Sequence, residues 1–163
     1  MSGFRRTMLV ILTMVACAGC DQVSKAVAKS ALPSDRVITF AGDTVRLRLT
    51  ENSGAFLSIG ASLPARVRSL VFTVGVGVIV GALALLAIVD ARGGAVRAVA
   101  LALVAGGGLS NVLDRVAYGG NVIDFLNVGV GSVRTGIFNL ADVAVMAGAV
   151  LLLSSVRRAG RNV

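Results

Sequence analysis

The segment 70–89, which lies in the longest stretch without a charged side chain, most limits what this chain can fold into. It holds twenty consecutive uncharged residues, and a helix of about that length crosses the hydrocarbon core of a bilayer. Three more apolar stretches predict helices over residues 7–30, 97–114 and 136–156. We therefore expect an all-α membrane protein of four transmembrane helices, with residues 1–163 forming one domain.

Composition supports a membrane protein and excludes several kinds of chemistry. Hydrophobic residues make up 56% of the chain, and its mean hydropathy is +0.88. The formal net charge is +8, but the basic residues cluster at the ends of the apolar stretches. We expect membrane lipids rather than nucleic acid as the partner of these charges. The absence of histidine excludes Ser-His and Cys-His catalysis and imidazole metal ligands.

The first apolar stretch continues into a polar stripe. Asp21, Lys25 and Lys29 recur every four residues and therefore share one helix face. Two interpretations remain open: a solvated ion pair at a helix end, or polar groups turned into the helix bundle. The cysteines Cys17 and Cys20 lie on the same helix, where we expect small apolar side chains, with no metal or cofactor.

The N-terminus also resembles a lipoprotein signal peptide. Two arginines precede an apolar core, which is followed by Ala18-Gly19-Cys20. A secreted lipoprotein would not need three further apolar stretches. We therefore expect the first helix to be retained and Cys20 to stay unmodified.

Residues 36–60 predict a small β-hairpin or cradle outside the bilayer core. Val45, Leu47 and Leu49 alternate with polar residues, which is the pattern of a half-buried strand. Residues 37–40 form the predicted partner strand. The element ends near Asn52, in a segment whose composition suits a tight turn.

The most informative polar residues are three acids in the second half, Asp114, Asp124 and Asp142. Ionisable groups at membrane depth are costly and are functional candidates by default. Asn111 and Asn139 each precede an acid by three residues, which places amide and carboxylate on one helix face. Structural roles are also open: Asp114 with Arg115 as an interfacial ion pair, and Asn139 as a helix cap above Asp142.

Glycines mark predicted close contacts and one predicted mobile segment. Gly77 with Gly81, and the triplet 106–108, would let other helices approach closely. Residues 119–135 are rich in glycine and valine, so we expect a loop that carries Asp124, moves without substrate and closes on binding.

The distribution of basic residues predicts the orientation. Residues 1–7, 90–97 and 157–163 hold seven Lys or Arg in 22 residues, against nine in about 70 residues on the other side of the membrane, so the density is higher although the raw count is not. This density favours a cytoplasmic location for both termini. The hairpin and the acids then lie toward the outer face.

Five motifs follow one another along nearly the whole chain. They are Asp21-Gln22 with Lys25, Asn52-x-Gly54, Gly107-Gly108 with Asn111-x-x-Asp114-Arg115, Val122-Ile123-Asp124-Phe125, and Phe138-Asn139-x-Ala141-Asp142. In this order they closely resemble the lipoprotein signal peptidase family, also called signal peptidase II, a family of intramembrane aspartic peptidases.

The resemblance implies a monomeric enzyme of the bacterial cell membrane that cleaves diacylglyceryl-modified prolipoproteins before the lipidated cysteine. It assigns catalysis to Asp124 and Asp142. Substrate-binding or supporting roles fall to Asn52, Gly54, Asn111, Asp114, Arg115, Asn139, Ala141, Asp21 and Lys25. Two features depart from the family pattern: the loop 118–121 is one residue longer, and Ala18-Gly19-Cys20 replaces a bulky aliphatic run.

Two other classes of protein also fit the residues. A non-enzymatic transporter or scaffold subunit could use Asp142 as a proton relay, although this leaves Asp124 unexplained. A Ser/Lys membrane peptidase could pair Lys25 with Ser24 or Ser53, since that chemistry needs no histidine.

Overall fold

The computed structural model describes residues 2–33, 35–54, 60, 62–90 and 94–160. Apolar helices and a small antiparallel sheet make up the fold, as the sequence predicts. The helices are α1 Gly3–Ala31, α2 Ala65–Ser69, α3 Val76–Val89, α4 Gly94–Ala117 and α5 Leu140–Gly160. A π-helical segment, Leu70–Gly75, joins α2 to α3, so that these three elements form one long helix.

Within the part of the chain that the structure describes, three helices are long and apolar enough to cross a membrane: Gly3–Ala31, Ala65–Val89 and Gly94–Ala117. The apolar part of α5, Leu140–Ser155, is shorter. This helix starts at Leu140 rather than at the predicted residue 136, because Asn139 caps it. The second predicted helix begins earlier than expected, at Ala65.

Helix α4 lies at the centre of the bundle, and three consecutive glycines let three helices approach it. A Cβ atom on Gly106 would lie 3.0 Å from Met14 Cα in α1, and one on Gly108 would lie 2.6 Å from Val80 Cγ2 in α3. A Cβ atom on Gly107 would clash with the carbonyl oxygen of Ala141 in α5. Each glycine therefore serves a different neighbour.

The other predicted glycine contact is wrong. A Cβ atom on Gly77 or Gly81 would meet no described heavy atom within 4 Å. The small-xxx-small spacing of this pair is present, but among the described residues no helix packs on that face of α3.

The predicted hairpin is present in the described part of residues 36–60. Strands β1, Ile38–Phe40, and β2, Val45–Asn52, pair antiparallel with Ile38 opposite Leu47. The turn between them contains Asp43 with a φ of 68°. Residues 55–59 of the predicted element lie outside the described residues.

The prediction of a loop over residues 119–135 is wrong. Strands β3, Val122–Val130, and β4, Val133–Arg134, occupy most of it, and the sheet order is β1-β2-β3-β4. Residues 122–125 are all buried, so the strand lacks the polar alternation that identifies a half-buried strand. Asp124 thus lies on a sheet strand opposite Thr50, not on a loop.

Candidate active site

The N-terminus of α5 holds Asp142 in a reciprocal cap. The Asn139 backbone N–H donates to Asp142 Oδ2 at 3.2 Å, and the Asp142 N–H donates to Asn139 Oδ1 at 3.0 Å. This is a capping box, which satisfies two backbone donors that a helix start leaves free. The predicted structural role of Asn139 is therefore present, and the same contacts fix the Asp142 carboxylate.

Asp124 approaches this cap from the sheet. Its side chain is 2% exposed. Asn139 Nδ2 donates to Asp124 Oδ1 at 2.6 Å, and Asn52 Nδ2 donates to Asp124 Oδ2 at 3.0 Å. A single residue, Asn139, therefore contacts both candidate catalytic carboxylates, one through its side chain and one through its backbone.

Burial dominates the electrostatics of Asp124. It raises the pKa of this carboxyl from 3.8 to about 6, and the charge of Asp142 acts in the same direction. Hydrogen bonds from Asn52 and Asn139 oppose this rise. A carboxyl with such a pKa can carry a proton close to neutral pH, as acid catalysis requires.

Asn111, on α4, links the acids to a second group of charges. Its Nδ2 donates to Asp142 Oδ1 at 3.1 Å. Its Oδ1 accepts from Asn139 Nδ2 at 3.1 Å and from Lys25 Nζ at 3.1 Å. The amide thus lies between the acids and the ammonium group of α1.

Lys25 lies between two buried carboxylates. Its Nζ is 2.6 Å from Asp21 Oδ2 and 2.8 Å from Asp114 Oδ2, and all three side chains are at most 3% exposed. Asp21 and Lys25 of the polar stripe are therefore turned into the bundle and do not form a solvated pair, whereas Lys29, the third residue of the stripe, is exposed. Asp21 also accepts from the backbone N–H of Ala141 at 2.8 Å, which ties α1 to the first turn of α5.

Asp114 has different partners from those the sequence suggested. It accepts from Lys25, from Gln22 Nε2 at 2.7 Å and from the Ile123 backbone N–H at 3.0 Å. No ion pair with the adjacent Arg115 is found among the described residues. Neighbouring helix residues diverge by about 100° around a helix of 3.6 residues per turn, which directs the two side chains to different partners.

Arg115 instead holds the segment after β2. Its guanidinium donates to the Gly54 carbonyl at 2.8 Å and to the Asn111 carbonyl at 3.2 Å. The Gly54 N–H in turn donates to Asn52 Oδ1 at 3.0 Å. This fixes the amide of Asn52, so that its Nδ2 faces Asp124.

All the residues that the resemblance assigned to the site lie in one connected network. Sequence reasoning missed one member, Ser110, and gave no role to another, Gln22, although Gln22 stands in the first motif. Ser110 Oγ donates to Asp21 Oδ2 at 2.7 Å, and Gln22 Nε2 donates to Ser110 Oγ at 2.9 Å. The position of Ser110, four residues before Asp114, was an available signal, because such residues share a helix face.

An apolar groove begins at the site and runs along α5. It has a volume of about 680 Å³, and Asp142 is the only charged side chain among the residues described as lining it. Its walls are Thr135, Gly136, Phe138, Val143, Met146, Ala147, Val150 and Leu151. The groove can hold an apolar ligand against a carboxylate. Among the described residues, no group of three or more acids or cysteines could hold a metal ion.

The family model described as signal peptidase (SPase) II matches residues 13–157. A lipoprotein signal peptidase of Rhodococcus jostii is 33% identical over 91% of this chain and 72% of its own length. One of Cupriavidus taiwanensis is 41% identical over 66% of this chain and 59% of its own length. A solved structure of a bacterial membrane enzyme matches with a TM-score of 0.81 and 26% identity, over 94% of this chain and 90% of that one. The chain therefore belongs to the signal peptidase II family.

Proposed function

We propose that Asp124 and Asp142 are the catalytic pair of this membrane peptidase, which removes signal peptides from prolipoproteins. The observation that carries the proposal is the shared contact with Asn139. This residue donates to Asp124 through its amide at 2.6 Å and to Asp142 through its backbone at 3.2 Å. Two carboxylates held beside one residue can share a proton, as in aspartic peptidases.

The reaction follows from this arrangement. The ionised carboxylate of the pair takes a proton from water, which attacks the carbonyl carbon of the scissile peptide bond. The protonated carboxyl donates to the carbonyl oxygen, and a tetrahedral intermediate forms. The roles then exchange. The carboxyl that took the proton from water gives it to the leaving nitrogen, and the other carboxylate takes a proton from a hydroxyl of the intermediate. The C–N bond breaks as the C=O bond re-forms, and the pair returns to its starting state.

The surrounding residues support the pair. Asn52, Asn111 and Asn139 donate hydrogen bonds to the carboxylates. Arg115 and Gly54 position Asn52, and Asp21 holds the Ala141 N–H at the start of α5. Fixed donors of this kind need little rearrangement during reaction, which is how a preorganised site lowers a barrier.

The groove along α5 supports a lipid-bearing substrate. Its lining is apolar apart from Asp142, and several of its residues lie on the exposed face of α5, including Val143, Met146 and Val150. A substrate anchored by diacylglycerol can reach this groove laterally from the bilayer. We therefore take the substrate to be a diacylglyceryl-modified prolipoprotein, cut before the lipidated cysteine.

The distribution of basic residues and the apolar helices support a proposal for the location and orientation of the protein. We place the protein in the bacterial cell membrane with four spans, both termini cytoplasmic and the site toward the outer face. The high density of Lys and Arg in residues 1–7, 90–97 and 157–163 supports this orientation. We propose a monomer, as the family resemblance implies. We also propose that the first helix is retained, because Asp21 and Lys25 belong to that network.

The contacts of Lys25 favour the aspartic reaction over a Ser/Lys peptidase. Its Nζ contacts the carboxylates of Asp21 and Asp114 and the amide oxygen of Asn111. Ser24 Oγ instead donates to the Asp21 carbonyl at 2.7 Å. A serine peptidase would need the lysine beside the serine hydroxyl.

The test is cleavage of a diacylglyceryl-modified prolipoprotein peptide by purified protein in detergent. Asp124→Asn and Asp142→Asn should each lower kcat by at least about 100-fold, the lower end of what one acid or base contributes. Asp43→Asn is the matched control, because Asp43 is 42% exposed and pairs with Arg46 on the outer sheet. Near-normal turnover in either site variant would refute the proposed pair.

A further inference from the structure

The ammonium group of Lys25 uses all three of its donors within the described network. The acceptors are Asp21 Oδ2 at 2.6 Å, Asp114 Oδ2 at 2.8 Å and Asn111 Oδ1 at 3.1 Å. The two carboxylates together outweigh the single positive charge of the lysine, so the three groups carry a formal charge of −1. The third acceptor is a neutral amide, and it belongs to the residue that contacts Asp142.

The contact with Lys25 decides which way the Asn111 amide faces. An amide has an acceptor oxygen on one side and donor hydrogens on the other. With the oxygen held by Lys25 and by Asn139 Nδ2, the Asn111 amino group faces Asp142 Oδ1 at 3.1 Å. A flipped amide would place its oxygen against the Asp142 carboxylate and its amino group against the ammonium. Both contacts would be repulsive, so Lys25 selects one of the two orientations.

We propose that Lys25 is a positioning residue of the peptidase reaction, which acts through Asn111 to keep an N–H donor on Asp142. This inference rests on the proposed function, because it concerns the same carboxylate pair. Lys25 touches no reacting atom. Its effect on turnover passes through the side-chain amide of Asn111 and is separate from its ion pairs with Asp21 and Asp114.

A test must separate positioning from simple charge balance. Lys25→Met alone would leave two buried carboxylates uncompensated, which is strongly destabilising. In an Asp114→Asn background the same change keeps the summed charge of residues 21, 25 and 114 at the parental value. The charge-matched comparison is therefore between the parent and Asp114→Asn with Lys25→Met, and Asp114→Asn alone shows the separate effect of losing the Asp114 carboxylate. An Asp21→Asn background is the second version, should the first fail to fold.

Lys25→Met should lower kcat by about tenfold, the effect of losing one well-oriented hydrogen bond in the transition state, with KM nearly unchanged. The acidic limb of kcat/KM should move to higher pH, because the ionised form of Asp142 loses the hydrogen bond that Lys25 orients and also the direct attraction of the lysine charge. The other charged groups that face Asp142 stay in place: Asp124 on β3, Asp21 on α1 and Arg115 on α4.

Asn111→Ala supplies the decisive comparison. If Lys25 acts through Asn111, adding Lys25→Met to Asn111→Ala in the same background should cause no further loss of kcat. The inference is overturned if the losses of kcat from Lys25→Met and Asn111→Ala multiply in the combined variant. It is also overturned if a folded Lys25→Met protein keeps the kcat and pH profile unchanged. The proposed function fails separately, if Asp124→Asn or Asp142→Asn remains active.

Discussion

Asn139 and Asp142 cap the same helix by exchanging hydrogen bonds, at 3.2 Å from the Asn139 N–H and at 3.0 Å from the Asp142 N–H. Asp142 is therefore both a member of the helix cap and a candidate catalytic residue. The position of Asp142 is set by where α5 begins, and the start of α5 is set in turn by Asn139. Stability and activity share these contacts, so variants of Asn139 can separate them.

Asn139→Ser should separate capping from support of Asp124. Serine is a good N-cap residue, so the cap should change the free energy of unfolding by less than about 1 kcal/mol. Loss of the buried amide should cost about 1–3 kcal/mol more, and Asn139→Ala shares that cost. Serine lacks the amide that donates to Asp124 Oδ1 at 2.6 Å, so kcat should fall by about tenfold or more. Thermal unfolding and cleavage, measured on the same detergent preparation, test both expectations.

Asn139→Ala provides the comparison. It removes cap and amide together, and should cost a further 0.5–2 kcal/mol or so in stability while lowering kcat to a similar extent. If Asn139→Ser cleaves as fast as the parent, the amide contact with Asp124 has no catalytic role.

The pH dependence of cleavage should follow Asp124. Burial raises the pKa of Asp124 to about 6, and the hydrogen bond from Asn52 lowers it. Cleavage should therefore decline as the pH rises above about 6, when the pair loses its shared proton. Asn52→Ala should move this decline to higher pH. Asn121→Ala is the control, since Asn121 bonds Glu51 on the exposed side of the sheet, and its pH profile should match that of the parent.

The raised pKa of Asp124 also makes the free energy of unfolding depend on pH. The pKa of Asp124 is above its ordinary value of 3.8 in the folded protein, so the native state holds the proton more tightly than the unfolded state. The stability contributed by the protonated group is complete below about pH 4 and is lost as the pH rises to about 6, by an amount on the order of 3 kcal/mol. Asp124→Asn should lack this loss. If the free energy of unfolding changes with pH equally in the parent and in Asp124→Asn across this range, the pKa assigned to Asp124 is wrong.

Apolar stretches and strand alternation were enough to predict the helices and the β1–β2 hairpin. Strand β3 could not be predicted in this way, because residues 122–125 are buried on both sides and show no alternation. The valines and glycines of this region suit a loop as well as a strand when only local sequence is considered. Its pairing with β2, with Asn52 opposite Val122, is a long-range contact that no local pattern encodes.

The site shows a similar division. Motifs identified its members, but their partners depend on how the helices pack. The sequence suggested that Asp114 pairs with Arg115, whereas Lys25 on α1 is its partner at 2.8 Å. Residues 25 and 114 are far apart in sequence and meet only because small residues such as Gly106 bring α1 close to α4.

Asp114→Asn should act mainly on stability. Asp114 is 1% exposed and accepts from Lys25, Gln22 and the Ile123 N–H. An asparagine presents its amino group to at least one of these donors, which should cost about 1–3 kcal/mol. Lys25 keeps Asp21 as a partner, so the folded fraction should retain measurable turnover. An Asp114→Asn protein as stable as the parent but inactive would mean that the catalytic acids are assigned wrongly.

The glycine triplet of α4 offers a test of how closely the site depends on helix packing. A Cβ atom on Gly107 would clash with the Ala141 carbonyl and lie 2.9 Å from Val145 Cγ2, whereas one on Gly108 would lie 2.6 Å from the Val80 side chain in α3. Adjacent Gly→Ala substitutions therefore press on different helices. Both should lower stability by about 1–3 kcal/mol through overpacking.

Their effects on cleavage should differ. Gly107→Ala pushes on the backbone of Ala141, one residue before Asp142, and a shift of about 1 Å in a catalytic group can cost roughly 100-fold in rate. Gly108→Ala displaces a side chain that can turn aside, and Val80 has no part in the site, so turnover per folded molecule should stay near the parental value. Gly77→Ala, where a Cβ atom meets no described atom within 4 Å, is the control for the substitution itself. Equal losses of turnover in Gly107→Ala and Gly108→Ala would show that activity follows overall stability, and not the placement of the first turn of α5.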